Sequence, residues 1–214
     1  MVFVNNGKCN RIKSARSTFY VFWDNIYGAV QDYPAPNSDL IRYRALLPKQ
    51  GLALDVACGL GADVLYLAQQ GFDVLAWDAS SVAIKRLQKE AKAQDISILT
   101  SCFEITPSVF KRGRFDLVYV HRYLDRDIFP AIIESLKPGG VLFYQTFTQS
   151  TAAECSSTIG PTNKAYRLAT NELLSLCSTL TIKVFIEGFS ADPNTNQIQA
   201  RAQALIVAAK PGAS

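Results

Sequence analysis

From Gly51 onward, short apolar runs of strand character alternate with segments whose apolar residues recur at helical intervals. That alternation constrains the fold more than any other feature, because it is the pattern of parallel strands joined by crossover helices and covered on both faces. The strand-like runs fall at residues 52–56, 73–77, 97–100, 115–120 and 141–146. Between them, residues 62–70, 82–93 and 129–136 carry the helical spacing. Ser80 or Ser81 is placed to cap the second of these helices. Lys137-Pro138-Gly139-Gly140 is expected to stop the third and turn the chain into the next strand.

The alternation changes after the fifth run. A helix at 171–178 is followed by two strand-like runs, 180–189 and 201–209, with Asp192-Pro193-Asn194 turning between them. Two consecutive strands joined by a turn are antiparallel. The expected fold is therefore α/β: a doubly wound, mostly parallel sheet that ends in an antiparallel hairpin. Upstream, an aromatic helical segment (Phe19, Tyr20, Phe22, Trp23, Tyr27) breaks at Tyr33-Pro34-Ala35-Pro36-Asn37, where Asn37 can cap a helix running to residue 47.

The most informative stretch is Leu54-Asp55-Val56-Ala57-Cys58-Gly59-Leu60-Gly61, a strand that ends in a glycine turn and opens a helix. Glycines at 59 and 61 let the backbone turn sharply and approach a ligand, and amides at a helix start can receive a polar group. A third glycine of the dehydrogenase type is missing, since Val64 stands there, which argues against a nicotinamide oxidoreductase. Asp78, one strand later, is placed to accept hydrogen bonds from both hydroxyls of a ribose.

Read in order, Asp55-x-Ala57-x-Gly59-x-Gly61, Asp78, Phe115-Asp116-Leu117-Val118 and Leu136-Lys137-Pro138-Gly139-Gly140 resemble the motifs of class I methyltransferases over residues 50–148. Leu54 to Gly59, Tyr66-Leu67-Ala68-Gln69-Gln70-Gly71, Trp77-Asp78-Ala79-Ser80 and the upstream Trp23-Asp24-Asn25-Ile26-Tyr27 look more narrowly like the tellurite-resistance type. The resemblance implies a Rossmann-like methyltransferase fold with a seven-stranded sheet, and S-adenosylmethionine as methyl donor. It also implies that Asp55, Ala57, Cys58, Gly59 and Gly61 surround the methionine moiety, that Asp78 meets the ribose, and that Ala79 and Ser80 lie beside the adenine. Two positions depart from the family pattern. Cys102-Phe103-Glu104 stands where many members have an acidic residue for the adenine amino group, so Glu104 or the Phe103 backbone must serve. Gly61-Ala62-Asp63 replaces the Gly-Arg-Asn common in the tellurite type.

Ligands of open α/β sheets sit beyond the carboxyl ends of the strands, which brings the segment from Tyr119 to Arg126 against the transferable methyl. His121 is the candidate general base, with a packed strand-end histidine as the alternative. Arg122 and Arg126 are candidates to hold an anionic acceptor, or surface partners of Asp125 and Asp127. Trp23 and Tyr27 share a helical face and can close over the cofactor, or pack in the core. Asp55 caps local amides on the alternative reading, and Cys58 reads as a small residue beside the cofactor rather than a nucleophile. Residues 149–168 form a candidate acceptor lid.

With 214 residues, 49% of them hydrophobic and 19% charged, the chain suits one domain over 1–214. It divides into a helical cover (1–47), a cofactor-binding core (51–148) and an acceptor loop, helix and hairpin (149–214). The longest apolar runs, 64–68 and 204–209, fall short of the roughly 20 residues of a membrane span, and residues 1–16 carry no signal-peptide run. A cytoplasmic protein without membrane partners is expected. Five scattered cysteines (Cys9, Cys58, Cys102, Cys155, Cys177) and one histidine support neither a disulfide framework nor a metal site. A net charge of +4, with Lys85, Arg86, Lys89 and Lys92 on one helix and Lys111, Arg112 and Arg114 beside a turn, reads as solvated surface rather than a nucleic-acid footprint. The expected function is methyl transfer to a small, anionic or soft nucleophilic acceptor. An RNA or protein methyltransferase and a non-catalytic S-adenosylmethionine-binding regulator are the alternatives. The acceptor's identity and the oligomeric state are not written in the sequence.

Overall fold

The computed structural model describes residues 17–149, 160–191 and 198–212. Helix α1 (Ser17–Ala29) and the short α2 (Ser38–Arg42) precede β1 (Gly51–Val56). Then follow α3 (Ala62–Gln69), β2 (Phe72–Asp78), α4 (Ser81–Ala93), β3 (Leu99–Cys102), β4 (Phe115–His121), α5 (Phe129–Ser135) and β5 (Leu136–Phe147). Helix α6 (Glu172–Leu176) leads into β6 (Thr181–Ala191) and β7 (Ile198–Ala209). The seven strands form one sheet in the order β3-β2-β1-β4-β5-β7-β6. β1 to β5 pair in parallel, and β7 runs antiparallel to both β5 and β6. The doubly wound sheet with a terminal hairpin is thus the fold expected from the sequence. The Asp192-Pro193-Asn194 turn lies outside the described residues, as do Cys9, Cys155 and residues 150–159 of the candidate lid.

Strand periodicity splits the core into two layers. Leu54, Val56, Val118, Val120, Leu142 and Tyr144 pack on one face with Ile128, Phe129 and Ile132 of the α5 region. Ala53, Val74, Ala76, Leu117, Tyr119 and Phe143 pack on the other with Leu40, Leu65, Leu67 and Leu87 of α2, α3 and α4. Burial on both faces explains why the central strands read as continuous apolar runs. The order reverses between β1 and β4, so their carboxyl ends flank the crevice where ligands of such sheets bind.

Most element ends differ from the sequence reading by a few residues, and three of the differences have a clear physical cause. β3 begins at Leu99 rather than at 97, because its partners are Leu75 to Asp78 at the carboxyl end of β2. The helix capped by Asn37 ends at Arg42 and gives way to a 3-10 turn over Arg44–Leu46, although Asn37 caps it as expected by accepting from the Asp39 amide. Leu136 already pairs with Phe115, so Lys137-Pro138-Gly139-Gly140 bulges out of β5 instead of preceding it, and pairing resumes at Leu117 and Val141.

That bulge is pinned. The Asp116 carboxylate accepts from the Leu52 amide (2.8 Å) and from Lys137 Nζ (2.7 Å), joining the start of β1 to the bulge. Partial burial pushes the Asp116 pKa up, but the bonds from Lys137 and Leu52 outweigh it and hold the pKa below the ordinary value. A carboxyl group with a lowered folded-state pKa stabilises the fold above its unfolded value of about 3.9, and that contribution is lost as pH falls through the folded value. Asp116→Asn is therefore expected to be less stable than the wild type at about pH 7 and to show a smaller further loss on acidification. Urea unfolding at the two pH values checks this, and parallel pH profiles would refute it.

Candidate functional site

β1 ends at Val56 with its backbone aimed at the crevice, and the next residues turn back through an unusual run of left-handed conformations. Ala57 has φ 59°, Gly59 55° and Gly61 77°. For Ala57 this costs roughly 1–2 kcal/mol, a strain met at sites where the backbone must face a ligand. Gly61 is needed twice over: it is the left-handed cap of α3, and a Cβ there would lie 2.5 Å from a methyl of buried Leu87. The turn is held by the Cys58 amide donating to the Trp77 carbonyl (3.0 Å), the Gly61 amide to the Cys58 carbonyl (3.0 Å), and the Tyr33 hydroxyl to the Leu60 carbonyl.

Asp78 organises this loop. One carboxylate oxygen accepts from the Gly59 amide (2.8 Å) and the other from the Ser80 amide (2.7 Å). Only 6% exposed, it has its pKa raised by burial against the opposing pull of the Ser80, Gly59 and Ala79 amides. Two oxygens offer about four lone pairs, so the carboxylate can still accept from a ligand hydroxyl. Ser80 caps α4 by accepting from the Ala83 amide (3.1 Å), and Ala79 lies beside it at the edge of the loop. Asp55, 2% exposed, is pushed well above the usual carboxylate range by burial first and then by Asp63 and Asp78. Burial beside Asp78 and Asp55 also pushes the Cys58 thiol up, which keeps it protonated and unlike a nucleophile.

Helix α1 lies over the turn. Tyr27 stacks on Trp23 with ring centroids 5.7 Å apart and reaches Gly59, where an added Cβ would meet its hydroxyl at 2.9 Å. Burial and then Asp78 raise the Tyr27 pKa, so the phenol stays protonated. The sequence reading found both aromatics but missed what docks them. Asp24 accepts from Ser80 Oγ (2.6 Å) and from the Val82 amide (3.2 Å) at the start of α4. Arg86 donates from α4 to the Tyr27 and Val30 carbonyls, both at 2.6 Å, closing the end of α1. Asp24 lay inside the quoted Trp23 to Tyr27 motif, but nothing in that spacing pairs it with a residue more than fifty positions away.

At the carboxyl end of β4 the structure assembles a second group. His121 Nδ1 stands 3.4 Å from Asp63 Oδ2, whose side chain comes from the first turn of α3. Asp63 also accepts from the Tyr119 hydroxyl (2.8 Å) and the Asn37 amide (2.7 Å). Asn37 Nδ2 donates to Tyr119 (3.0 Å) and to Gln145 Oε1 (2.7 Å), and Gln145 Nε2 donates to Asp39 (2.8 Å). The sequence flagged Asp63 only as a departure from the family pattern, and Tyr119 only as the start of the crevice segment, with no role of its own.

Other candidates are placed as follows. Phe103 packs against Trp77 at 5.2 Å, and its amide donates to the Asp78 carbonyl (3.1 Å), so it and Glu104 follow the end of β3 directly beside Asp78. Arg122, exposed and with φ 57°, directly follows His121, and its amide donates to the Gln145 carbonyl (2.8 Å). Arg126 does not face the crevice as an anion clamp. It forks onto Glu172 (2.5 and 3.0 Å) and donates to the Ala165 and Arg167 carbonyls, because two carbonyls and a carboxylate match its five donors. Lys85, Lys89 and Lys92 are exposed while Arg86 turns inward, and Arg112 pairs with Glu134 at 3.3 Å. Among the described residues, no group of three or more His, Cys, Asp and Glu side chains is placed to hold a metal ion, and no helix is long and apolar enough to cross a membrane.

Known proteins resemble the chain in sequence and in fold. Residues 53–140 match a family model described as a methyltransferase domain. A probable S-adenosyl-L-methionine-dependent methyltransferase of Haemophilus influenzae, TehB, is 30% identical over 87 residues, 39% of this chain and 30% of the relative. The match thus spans about a third of that curated relative's length. The crystal structure of TehB from H. influenzae superposes with a TM-score of 0.69 at 18% identity, covering 88% of this chain and 67% of that one. A geranyl diphosphate C-methyltransferase of Streptomyces coelicolor superposes with a TM-score of 0.66 at 13% identity, covering 93% and 100%. At these identities the structural likeness carries the fold.

The docking of α1 is open to test. Asp24→Ala is expected to accelerate hydrogen exchange of α1 amides by roughly tenfold or more, the equivalent of one charge-assisted hydrogen bond, while β1 and β4 amides stay protected. Unchanged exchange in α1 would show that Arg86 and the aromatic packing hold the helix without Asp24.

Proposed function

Because the chain carries a class I S-adenosylmethionine-dependent methyltransferase domain resembling the tellurite-resistance type, we propose that the protein transfers a methyl group to a small, anionic or soft nucleophilic acceptor by in-line displacement. The observation that carries this reading is the pair of buried carboxylates, Asp55 and Asp78, converging on a glycine turn. Burial and neighbouring carboxylates raise the pKa of Asp55, and no basic side chain offsets them. Such a site calls for a cation, and S-adenosylmethionine brings an ammonium, a sulfonium and a ribose diol. When bound, it supplies a methyl group already activated by the sulfonium charge.

The chain's own residues then have three tasks. The first is binding: Asp55, Ala57, Cys58, Gly59 and Gly61 line the methionine end, Asp78 receives the ribose hydroxyls, and Ala79, Ser80, Phe103 and Glu104 border the adenine. The second is exclusion of water, which falls to Trp23 and Tyr27 above the glycine turn, where aromatic faces also suit a sulfonium. The third is alignment of the acceptor at the end of β4, where His121 takes a proton if the acceptor has one to lose and Arg122 stands beside an anionic group. A small acceptor is favoured over a nucleic acid because the basic residues of α4 and of 111–114 are divided between solvent and local partners. Transfer needs no metal, since the leaving group is activated in the donor itself.

Calorimetry is expected to show binding of S-adenosylmethionine and its demethylated product in preference to NAD. Asp78→Asn should weaken that binding by roughly 1.5–3 kcal/mol for each charge-assisted bond lost. Unchanged affinity in a folded variant would remove Asp78 from the site. Chelator is expected to leave the rate intact; inhibition reversed by added magnesium would refute the metal-free reading. For an acceptor that carries a proton, His121→Gln should slow transfer about 10²-fold or more with donor affinity preserved.

A further inference from the structure

We propose that Asp63 is the positioning residue of this site: its carboxylate turns Nδ1 of His121 toward itself and leaves Nε2 as the nitrogen that takes the acceptor's proton. This rests on the methyl-transfer reading above and deepens it, because a base held in this way serves only an acceptor that arrives protonated.

The argument is geometric. Asp63 is not free to rotate. Oδ1 accepts from the Asn37 amide at 2.7 Å, and Oδ2 accepts from the Tyr119 hydroxyl at 2.8 Å and lies 3.4 Å from His121 Nδ1. The groups that hold it are themselves held. Tyr119 is fully buried in β4, and Asn37 Nδ2 bridges its hydroxyl to Gln145 Oε1 on β5. Gln145, 4% exposed, is tied in turn to Asp39 of α2 (2.8 Å) and to Gln203 of β7 (3.0 Å). Four elements besides α3 therefore fix one carboxylate against one imidazole. Burial and the adjacent Asp63 raise the Tyr119 pKa, so Tyr119 stays a phenol and acts toward Asp63 as a donor.

In a neutral imidazole, the hydrogen bond made by one nitrogen decides which nitrogen carries the proton. A carboxylate facing Nδ1 selects the Nδ1–H form and leaves the Nε2 lone pair as the base, the arrangement that makes a histidine effective in proton transfer. A separation of 3.4 Å is loose for a hydrogen bond, as catalytic contacts often are before ligand is bound. In the step itself, His121 Nε2 accepts the proton of the acceptor as the acceptor's electron pair bonds to the methyl carbon. The carbon–sulfur pair is retained by sulfur, and the imidazolium then returns its proton to water. Asp63, held on the Nδ1 side, faces the imidazolium that forms.

His121 is the only histidine of the chain, so nitrogen-15 magnetic resonance of protein labelled in histidine reads this ring alone, with no acceptor required. At a pH where the ring is neutral, the wild type is expected to show the Nδ1–H tautomer, and Asp63→Asn should shift population toward Nε2–H. A wild-type ring in the Nε2–H form overturns the proposal, whether or not the variant folds. In turnover, Asp63→Asn should lower kcat roughly 10- to 100-fold with KM and donor affinity little changed. Added to His121→Gln, it should cost nothing more, and fully additive losses would also overturn the positioning role. Failure of the methyltransferase reading would look different, as absent binding of S-adenosylmethionine by a protein whose histidine still shows the Nδ1–H signature.

Discussion

The two hydrogen bonds received by Asp78 hold the site together. Through them the end of β2 fixes the Gly59 turn that follows β1 and the Ser80 cap that opens α4. Hydrogen bonds to a charged acceptor contribute about 1.5–3 kcal/mol each, and here they must also offset the burial that raises the Asp78 pKa. Ser80 passes the constraint on, since its hydroxyl donates to Asp24 and so anchors α1 above the turn. Removing the carboxylate would loosen a loop, a helix cap and a covering helix together.

A second consequence follows from concentrating carboxylates at one end of the sheet. Asp55, Asp63 and Asp78 surround the crevice between β1 and β4, and burial raises the pKa of Cys58, Tyr27 and Tyr119 around them. The thiol and the phenols stay protonated, so none of the three serves as an anionic nucleophile. A cationic methyl donor fits such surroundings. On the proposed reading, what remains for the protein is to align the partners, exclude water and move one proton, which suits the His121–Asp63 pair.

Much of the frame was legible from local chemistry. The positive φ angles of Gly59 and Gly61, the Ser80 cap and the apolar runs of β1, β2 and β4 depend on neighbours a few residues away or on side-chain alternation. Boundaries set by pairing were less legible. β3 starts where β2 offers partners, and the glycines of 137–140 sit in a bulge because Leu136 finds Phe115 first. The partner of Arg126 was hidden for a related reason: an arginine near a crevice reads equally as an anion clamp or as a partner of Asp125 or Asp127, until Glu172, 46 positions away, takes its fork.

By itself the sequence determined the fold class, the glycine turn and the place of an acidic residue at the end of the second strand, because periodicity and backbone sterics act over a few bonds. Only the tertiary structure decided which polar groups meet. Asn37 and Gln145 are separated by 108 positions, Tyr119 and Asp63 by 56, and Asp24 and Ser80 by 56. Each side chain alone is satisfied as well by water as by a distant partner, and the choice is made when the sheet order brings β1, β4 and β5 side by side. The His121–Asp63 pair belongs to that second kind of information: it exists because α3 starts where β1 ends and β4 ends beside it.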